Sequence, residues 1–372
     1  MKLLNKINNL PVAVISTFGH NGIDWLHSLL DSHPEIIIMP GFSFYRTYDT
    51  LKLEKINSNE KLASAIAEAF LSNKSYHVKR RQILFNIHEK LFFEESLNLA
   101  LKNDKSKSKT KKIFNALHYA FLCINKSKNI QDKKIIVIQE HVPWHSNRYI
   151  RDFNDVEFIF MMRDPRPALA GSWRRLRLSN SSNKINSYQF DHTLLYWKYS
   201  EYFVNSMKNK KPYILKNEDI HFDHQHEMSM LSKHLNINFN ESMLTQTFNG
   251  VEWLGESAYI NEEEKFPVDQ EKFYQTKEIE KRWRKEINAL QILSIEVLTK
   301  KVMKLYNYNF DSKNTLLKKI KGYKYIFSQP YKNQSLNSKS RIRNFLALFR
   351  NLLRRIFIVF YPKLANKIFK II

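Results

Sequence analysis

The sequence predicts an α/β fold: a mainly parallel sheet flanked by helices, with a P-loop-like strand-loop-helix near its start and a basic amphipathic helical arm at its C-terminal end. Two observations carry the prediction. Five short apolar runs of strand length recur along the chain, and stretches with helical apolar spacing lie between them. The runs are VAVIST at 12–17, EIIIM at 35–39, KIIVIQ at 134–139, VEFIFMM at 156–162 and PYIL at 212–215.

Each element has a local reason. After the first run, a glycine-bearing turn leads to Ile23, Leu26, Leu29 and Leu30 on one helical stripe, which Pro34 ends. Residues 41–133 read as a mostly helical insertion, with KSKSKTKK at 105–112 as a solvated loop. The fourth run leads through RDPRP into ALAGSWRRLRL, where Pro165 and Pro167 suit a first helical turn whose N–H groups lack partners anyway. Helices are expected at 190–207, 225–235 and about 276–305. The domain is drawn at 1–310 and the arm at 311–372.

The 372 residues suffice for a large core, and the single cysteine, Cys123, excludes an internal disulfide scaffold. The formal charge is +24, which raises nucleic acid, a membrane surface or an anionic substrate as partner. Its distribution narrows the choice. Residues 311–372 hold fifteen basic residues against Asp311, a net +14 that leaves +10 for the first 310 residues. The opening MKLLNKINNLPVAVIST has no h-region of signal-peptide length, and Arg350, Arg354 and Arg355 interrupt the most apolar late stretch. The expected location is cytoplasmic, with a peripheral place on the inner membrane face through the arm.

A strand entering a tight loop at a helix N-terminus makes an anion site, because unpaired backbone N–H groups and the positive dipole end converge there. TFGHNGIDWL at 17–26 has that layout. It lacks the Lys and hydroxyl that follow the second glycine of GxxxxGK[ST], since Ile23 and Asp24 follow Gly22, which argues against a standard nucleotide triphosphatase.

ISTFGHNGIDWLHSLLDSHPEI, QEHVP at 139–143 and FIFMMRDPRPALAGSW at 158–173 together resemble the sulfotransferase superfamily in order and spacing. LLDSHPEI and RDPRPALA are the most specific pieces, and YILKNEDI and TFNGVEWLGES extend the resemblance over about residues 12–310. It implies 3′-phosphoadenosine-5′-phosphosulfate as donor and transfer of its sulfuryl group to a hydroxyl, of a glycan or glycolipid. The implied donor residues are Gly19, His20, Asn21, Gly22, Ile23 and Asp24 in the loop, Arg163 and Ser172 at the 3′-phosphate, and Trp253 for stacking. The family places its serine eight residues beyond the arginine, where this chain has Gly171.

His141 matches the catalytic histidine, Glu140 is the rival base, and His20 stands where the family has Lys or Arg. Removing a hydroxyl proton during attack suits an imidazole with a pKa near ~6.5. Asp24 would repel a phosphate at ~4 Å by about 4 kcal/mol at an effective dielectric of 20, unless it caps its helix or holds His20 protonated. Arg163 paired with Asp164 or Asp219, and a merely structural His141, are the plain alternatives. His221, His224 and His226 lack a matching fourth ligand, so no metal is expected. Trp144, Trp173 and Trp197 read as core.

In the arm, Ile342, Phe345, Phe349, Leu352, Ile356 and Phe360 share one helical face, with Arg343, Arg350 and Arg354 on another. That pattern fits an anionic membrane interface over 341–361, or a helix docked on the domain or in a homo-oligomer. Nucleic acid ranks third, without a recognised module. Two other functions stay open: a non-catalytic relative that binds nucleotide or glycan, and a basic membrane-associated scaffold.

Overall fold

Most strands are buried on both faces and largely apolar, and their period of two sorts the side chains into two cores. Val12, Val14, Ile37, Ile136, Ile138, Phe158 and Phe160 face one core, while Ala13, Ile15, Ile36, Ile38, Ile135, Val137, Ile159 and Met161 face the other. A computed structural model describes residues 2–17, 19–39, 43–71, 87–125, 130–178, 187–207, 211–253, 283–311, 315–328 and 341–369.

The sheet has five strands: β1 (Val12–Thr17), β2 (Ile36–Ile38), β3 (Ile135–Glu140), β4 (Val156–Met162) and β5 (Tyr213–Lys216). Their spatial order is β2-β3-β1-β4-β5, and every pairing is parallel, as the sequence predicts. Register places Ser16 beside Glu140 and Thr17 beside Met161, so β1, β3 and β4 end together.

Most helices of the 41–133 region join the first core through Phe44, Tyr45, Ile66, Phe70, Phe93, Leu97, Phe114 and Leu117. The second core is smaller, made by the helix Ile23–Leu30 and by Ile220, Met228 and Leu231 beyond β5. Helices Ser187–Ser206 and His224–His234 stand close to their predicted positions. The stretch 105–112 is only partly a loop: a helix starts at Lys109, with the Ser108 side chain accepting from the Lys111 amide as its N-cap. The predicted helix 276–305 is shorter. Its described part is a 3₁₀ turn at Trp283–Lys285 and helices Ala289–Leu298 and Lys300–Leu305, and residues 276–282 lie outside the described residues.

The helices Arg341–Phe360 and Pro362–Phe369 pack on Ser187–Ser206. Their anchor is ionic. Asp191 is fully buried and accepts from Arg354 Nε at 2.6 Å and Arg355 Nε at 2.5 Å. Arg355, itself fully buried, also donates to the Ile326 carbonyl at 2.9 Å and lies over the Phe190 ring. Burial pushes the Asp191 carboxyl up, and the two guanidinium groups pull it back. Among the described residues, no helix is long and apolar enough to cross a membrane.

Removing one partner of a buried ion pair strands the other charge. Asp191→Leu should therefore cost about 3–5 kcal/mol in urea denaturation, with part recovered when Arg355→Met is added. An unchanged midpoint in Asp191→Leu would show that this arm does not dock through Asp191.

Candidate functional site

Three adjacent strand ends meet at one edge of the sheet. Neighbouring strands lie ~4.8 Å apart, so the loop after β1, His141 after β3 and Arg163 after β4 form a row with the loop in the middle. From β1 the chain turns to the helix Ile23–Leu30 on the second core, while after β4 the helix Pro165–Leu178 packs in the first. Connections that leave adjacent strands toward opposite faces open a crevice, where parallel sheets bind ligands.

The loop depends on left-handed backbone. Gly19, His20 and Gly22 have φ of 92°, 53° and 91°. A Cβ at Gly22 would stand 2.4 Å from the Asn217 amide, and one at Gly19 would stand 3.3 Å from the Tyr196 ring. The positive φ therefore favours glycine at both positions, and at Gly22 an added Cβ would also force the Asn217 side chain to shift. Thr17 Oγ1 accepts from the Gly19 amide at 3.2 Å, and Asn21 donates from its side chain to the Met161 carbonyl at 3.0 Å. Asn21 and Ile23 are buried, so their side chains hold the loop in place and only their backbone can face the crevice. His20 is exposed.

Arg163 leaves β4 on the same parity as Met161 and reaches back to the loop, its Nη1 3.4 Å from the His20 carbonyl. It forms no ion pair among the described residues. Of the two carboxylates that sequence reading offered it, Asp164 is engaged elsewhere, pairing with Arg166 at 2.5 Å. Arg166, which sequence reading missed, also binds Glu296 at 3.1 Å and Asp311 at 2.9 Å, tying the 283–311 segment to the base of the helix that follows Arg163. Asp311, placed in the arm by sequence, is part of this knot.

Strand alternation separates the two rival bases. Glu140 shares a face with Ile138, is fully buried, and accepts from Ser43 Oγ at 2.6 Å and the Val142 amide at 3.2 Å, with His145 Nδ1 at 3.3 Å. Gln139 and His141 lie on the opposite parity, toward the helix that carries Asp24. The Gln139 amide donates to Asp24 Oδ1 at 2.5 Å and to His141 Nε2 at 2.7 Å, and Asp24 Oδ1 lies 3.8 Å from His141 Nε2. Asp24 thus turns to the QEHVP segment. Neither the helix-cap role nor the His20 role foreseen for it includes this contact, which joins residues 115 positions apart.

The remaining expected residues divide. Ser172 is buried at 7% exposure, whereas Gly171 fronts open space, with nothing within 4 Å of a Cβ built there. Trp253 packs edge-on against Phe248. Its hairpin, β6 (Thr247–Phe248) and β7 (Val251–Glu252), is tethered to Asp31 by Thr247 Oγ1 and by the Gly250 amide, at the far end of the helix from Gly22. The structure does not bring Trp253 to Arg163 or the loop. Trp173 and Trp197 are core, and Trp144 packs on Tyr196 and Tyr199. His221 stacks on Trp25 at 4.3 Å with His224 beside them. Among the described residues, no group of three His, Cys, Asp or Glu side chains could hold a metal ion.

Fold and site together define an α/β protein with a crevice at the C-terminal edge of a parallel sheet, where a left-handed glycine loop, Arg163 and His141 meet. Among solved structures, the chain is similar to the sulfotransferase domain from the Synechococcus PCC 7002 olefin synthase, with 13% identity over 80% of this chain and 95% of that one, at a TM-score of 0.43. It is also similar to the sulfotransferase domain from the curacin biosynthetic pathway, with 12% identity over 81% of this chain and 98% of that one, also at 0.43. No family model and no curated protein sequence matches the chain.

Two measurements check the geometry. Gly171→Ser should fold at least as well as the wild type, because serine is the better helix former and the added atoms meet open space, whereas Gly22→Ala should lower the melting temperature. Equal melting temperatures for Gly22→Ala and wild type would remove the steric argument. The pH response of His221 is the second. Burial chiefly, then Arg163 and His224, holds its pKa down at about 3. Its neutral folded form thus favours folding above the unfolded pKa of ~6.5, and that contribution fades as pH falls toward the folded value. His221→Phe should flatten the acid limb of stability between about pH 6 and 4, by at most ~1.4 kcal/mol per pH unit. An unaltered slope would place a charged imidazole there.

Proposed function

We propose that this chain is a sulfotransferase that moves the sulfuryl group of 3′-phosphoadenosine-5′-phosphosulfate to a hydroxyl acceptor. The observation that carries the reading is the row of strand ends, with a left-handed glycine loop flanked by a guanidinium on one side and an imidazole-carboxylate pair on the other. The residues suit the donor's charge. Loop amides and the helix N-terminus favour its 5′-phosphosulfate, and Arg163 can meet the 3′-phosphate bidentately. His20 supplies a donor at the bridging oxygen, and Gly171 leaves room where the resemblance places a serine, with Ser172 behind it.

In the reaction the bond from sulfur to the phosphate oxygen breaks as a bond to the acceptor oxygen forms. The acceptor's proton passes to His141. In the structure the Gln139 side-chain amide lies 2.7 Å from Nε2. Exchange of that amide for the acceptor hydroxyl frees the Nε2 lone pair, and the imidazolium that results sits beside the Asp24 carboxylate. This role answers the repulsion argument against Asp24, whose charge serves the base. Glu140, enclosed by Ser43, Val142 and His145, supports the strand end and yields the base role to the more exposed His141. The acceptor class is the one implied by the sequence resemblance, a glycan or glycolipid.

Arg163→Ala should weaken 3′-phosphoadenosine-5′-phosphate binding by about 1.5–3 kcal/mol in calorimetric titration, with little change for the nucleotide lacking the 3′-phosphate. Equal losses for both nucleotides in a folded variant would remove its assignment. His141→Ala should keep donor affinity and lose roughly 10²–10⁴ in turnover, and Asp24→Asn should lose turnover in the same sense while leaving affinity nearly unchanged. If Asp24→Asn instead tightens the donor more than about tenfold, Asp24 faces the phosphates and the non-catalytic reading replaces this one.

A further inference from the structure

The C-terminal helix Arg341–Phe360 has an inward face that docks on the domain and an apolar stripe on the other side that docking leaves exposed. Toward the domain it turns Asn351, Arg354, Arg355, Ile358 and Val359, all buried. On the opposite side, at helical spacing, stand Ile342, Phe345, Leu346, Phe349, Leu353 and Phe360, with exposures of 73, 67, 57, 51, 36 and 54%. An exposed stripe with three phenylalanines is far from the scattered apolar residues of an ordinary surface. Of the arginines that sequence reading set against a membrane span, Arg354 and Arg355 are turned inward and Arg350 is exposed, so the outward side carries fewer charges than the sequence suggests.

The stripe runs into a cationic cavity. Phe360 meets the Tyr323 ring at 5.9 Å, and Tyr323 lines a cavity of about 210 Å³ together with Lys300, Lys318 and Lys319. Glu296, the one carboxylate of that lining, is committed to Arg166 at 3.1 Å. Lys319 and Lys304 hold the Lys300 ammonium below its usual range, as uncompensated like charges do. Leu316, Leu317 and Ile320 stand exposed on the same helix as Lys318 and Lys319, at 71, 73 and 55%.

We infer that this surface binds an anionic membrane, with the stripe of Ile342, Phe345, Leu346, Phe349 and Leu353 lying in the interface and the Lys300, Lys318 and Lys319 cavity receiving a phosphate-bearing headgroup. Charge decides against a second copy of the chain on the same surface. Two faces from segments of net +14 would repel each other, whereas an anionic leaflet attracts both the apolar and the cationic part. The inference stands apart from the sulfuryl-transfer reading, because none of these residues belongs to the strand-end row.

The test is cosedimentation of the full chain with phosphatidylcholine vesicles made with and without phosphatidylglycerol. Binding should require phosphatidylglycerol and fade as salt is raised. It should fall by more than about tenfold in Phe345→Ser with Phe349→Ser, and comparably in Lys318→Glu with Lys319→Glu, both checked for unchanged circular dichroism and an unchanged melting temperature. Because the phenylalanines are exposed, loss of binding without loss of fold is the supporting result. Failure of the wild-type chain to bind phosphatidylglycerol vesicles would overturn the inference, as would wild-type binding by both double variants. A light-scattering mass of a dimer that becomes monomeric in the Phe345→Ser, Phe349→Ser chain, without vesicle binding, would assign the stripe to self-association instead.

Discussion

Everything at the candidate site depends on the central place of β1 between two parallel neighbours. Because the three strands run the same way and end in register, whatever follows each of them arrives at the same edge. The loop after β1 then has to turn within a few residues between Met161, Asn217 and Tyr196, which only left-handed backbone at Gly19 and Gly22 allows. The sheet order supplies the row, and the glycines let the loop take its middle position.

The second constraint is the pleat. Alternation along β3 sends Glu140 into the first core with Ser43 and His145, and leaves Gln139 and His141 on the side of the helix that holds Asp24. Two neighbouring candidate bases are thereby given different surroundings without any special local geometry. One is wrapped in hydrogen bonds and fully buried. The other keeps part of its surface in water, 3.8 Å from the Asp24 carboxylate.

Much of this was legible in the sequence because its signals are local. The five strands announce themselves as β-branched or aromatic runs, and their parallel arrangement follows from the helical stretches between them. The loop and Arg163 were found from motif order, and their nearness in space follows from the sheet. What stayed hidden are partnerships made across long stretches of chain: Asp24 with Gln139, Arg166 with Glu296 and Asp311, and Asp191 with Arg354 and Arg355. Charged residues on amphipathic helices carry no mark of which partner they will meet. The arm shows the cost most clearly, since Arg354 reads as a polar-face residue in the helical pattern and is half of a buried ionic anchor in the fold. Gln139 had one usable signal, its parity with His141 in QEHVP.

The central claim is that the strand-end row is one site for a 3′-phosphorylated nucleotide. A crystal structure of the chain with 3′-phosphoadenosine-5′-phosphate tests it most directly. The account predicts the 5′-phosphate against the amides of residues 19–24, the 3′-phosphate on the Arg163 guanidinium, and His141 left facing open crevice beside Asp24. A nucleotide bound with Arg163 turned away from both phosphates, or seated away from the C-terminal edge of β1, would contradict it.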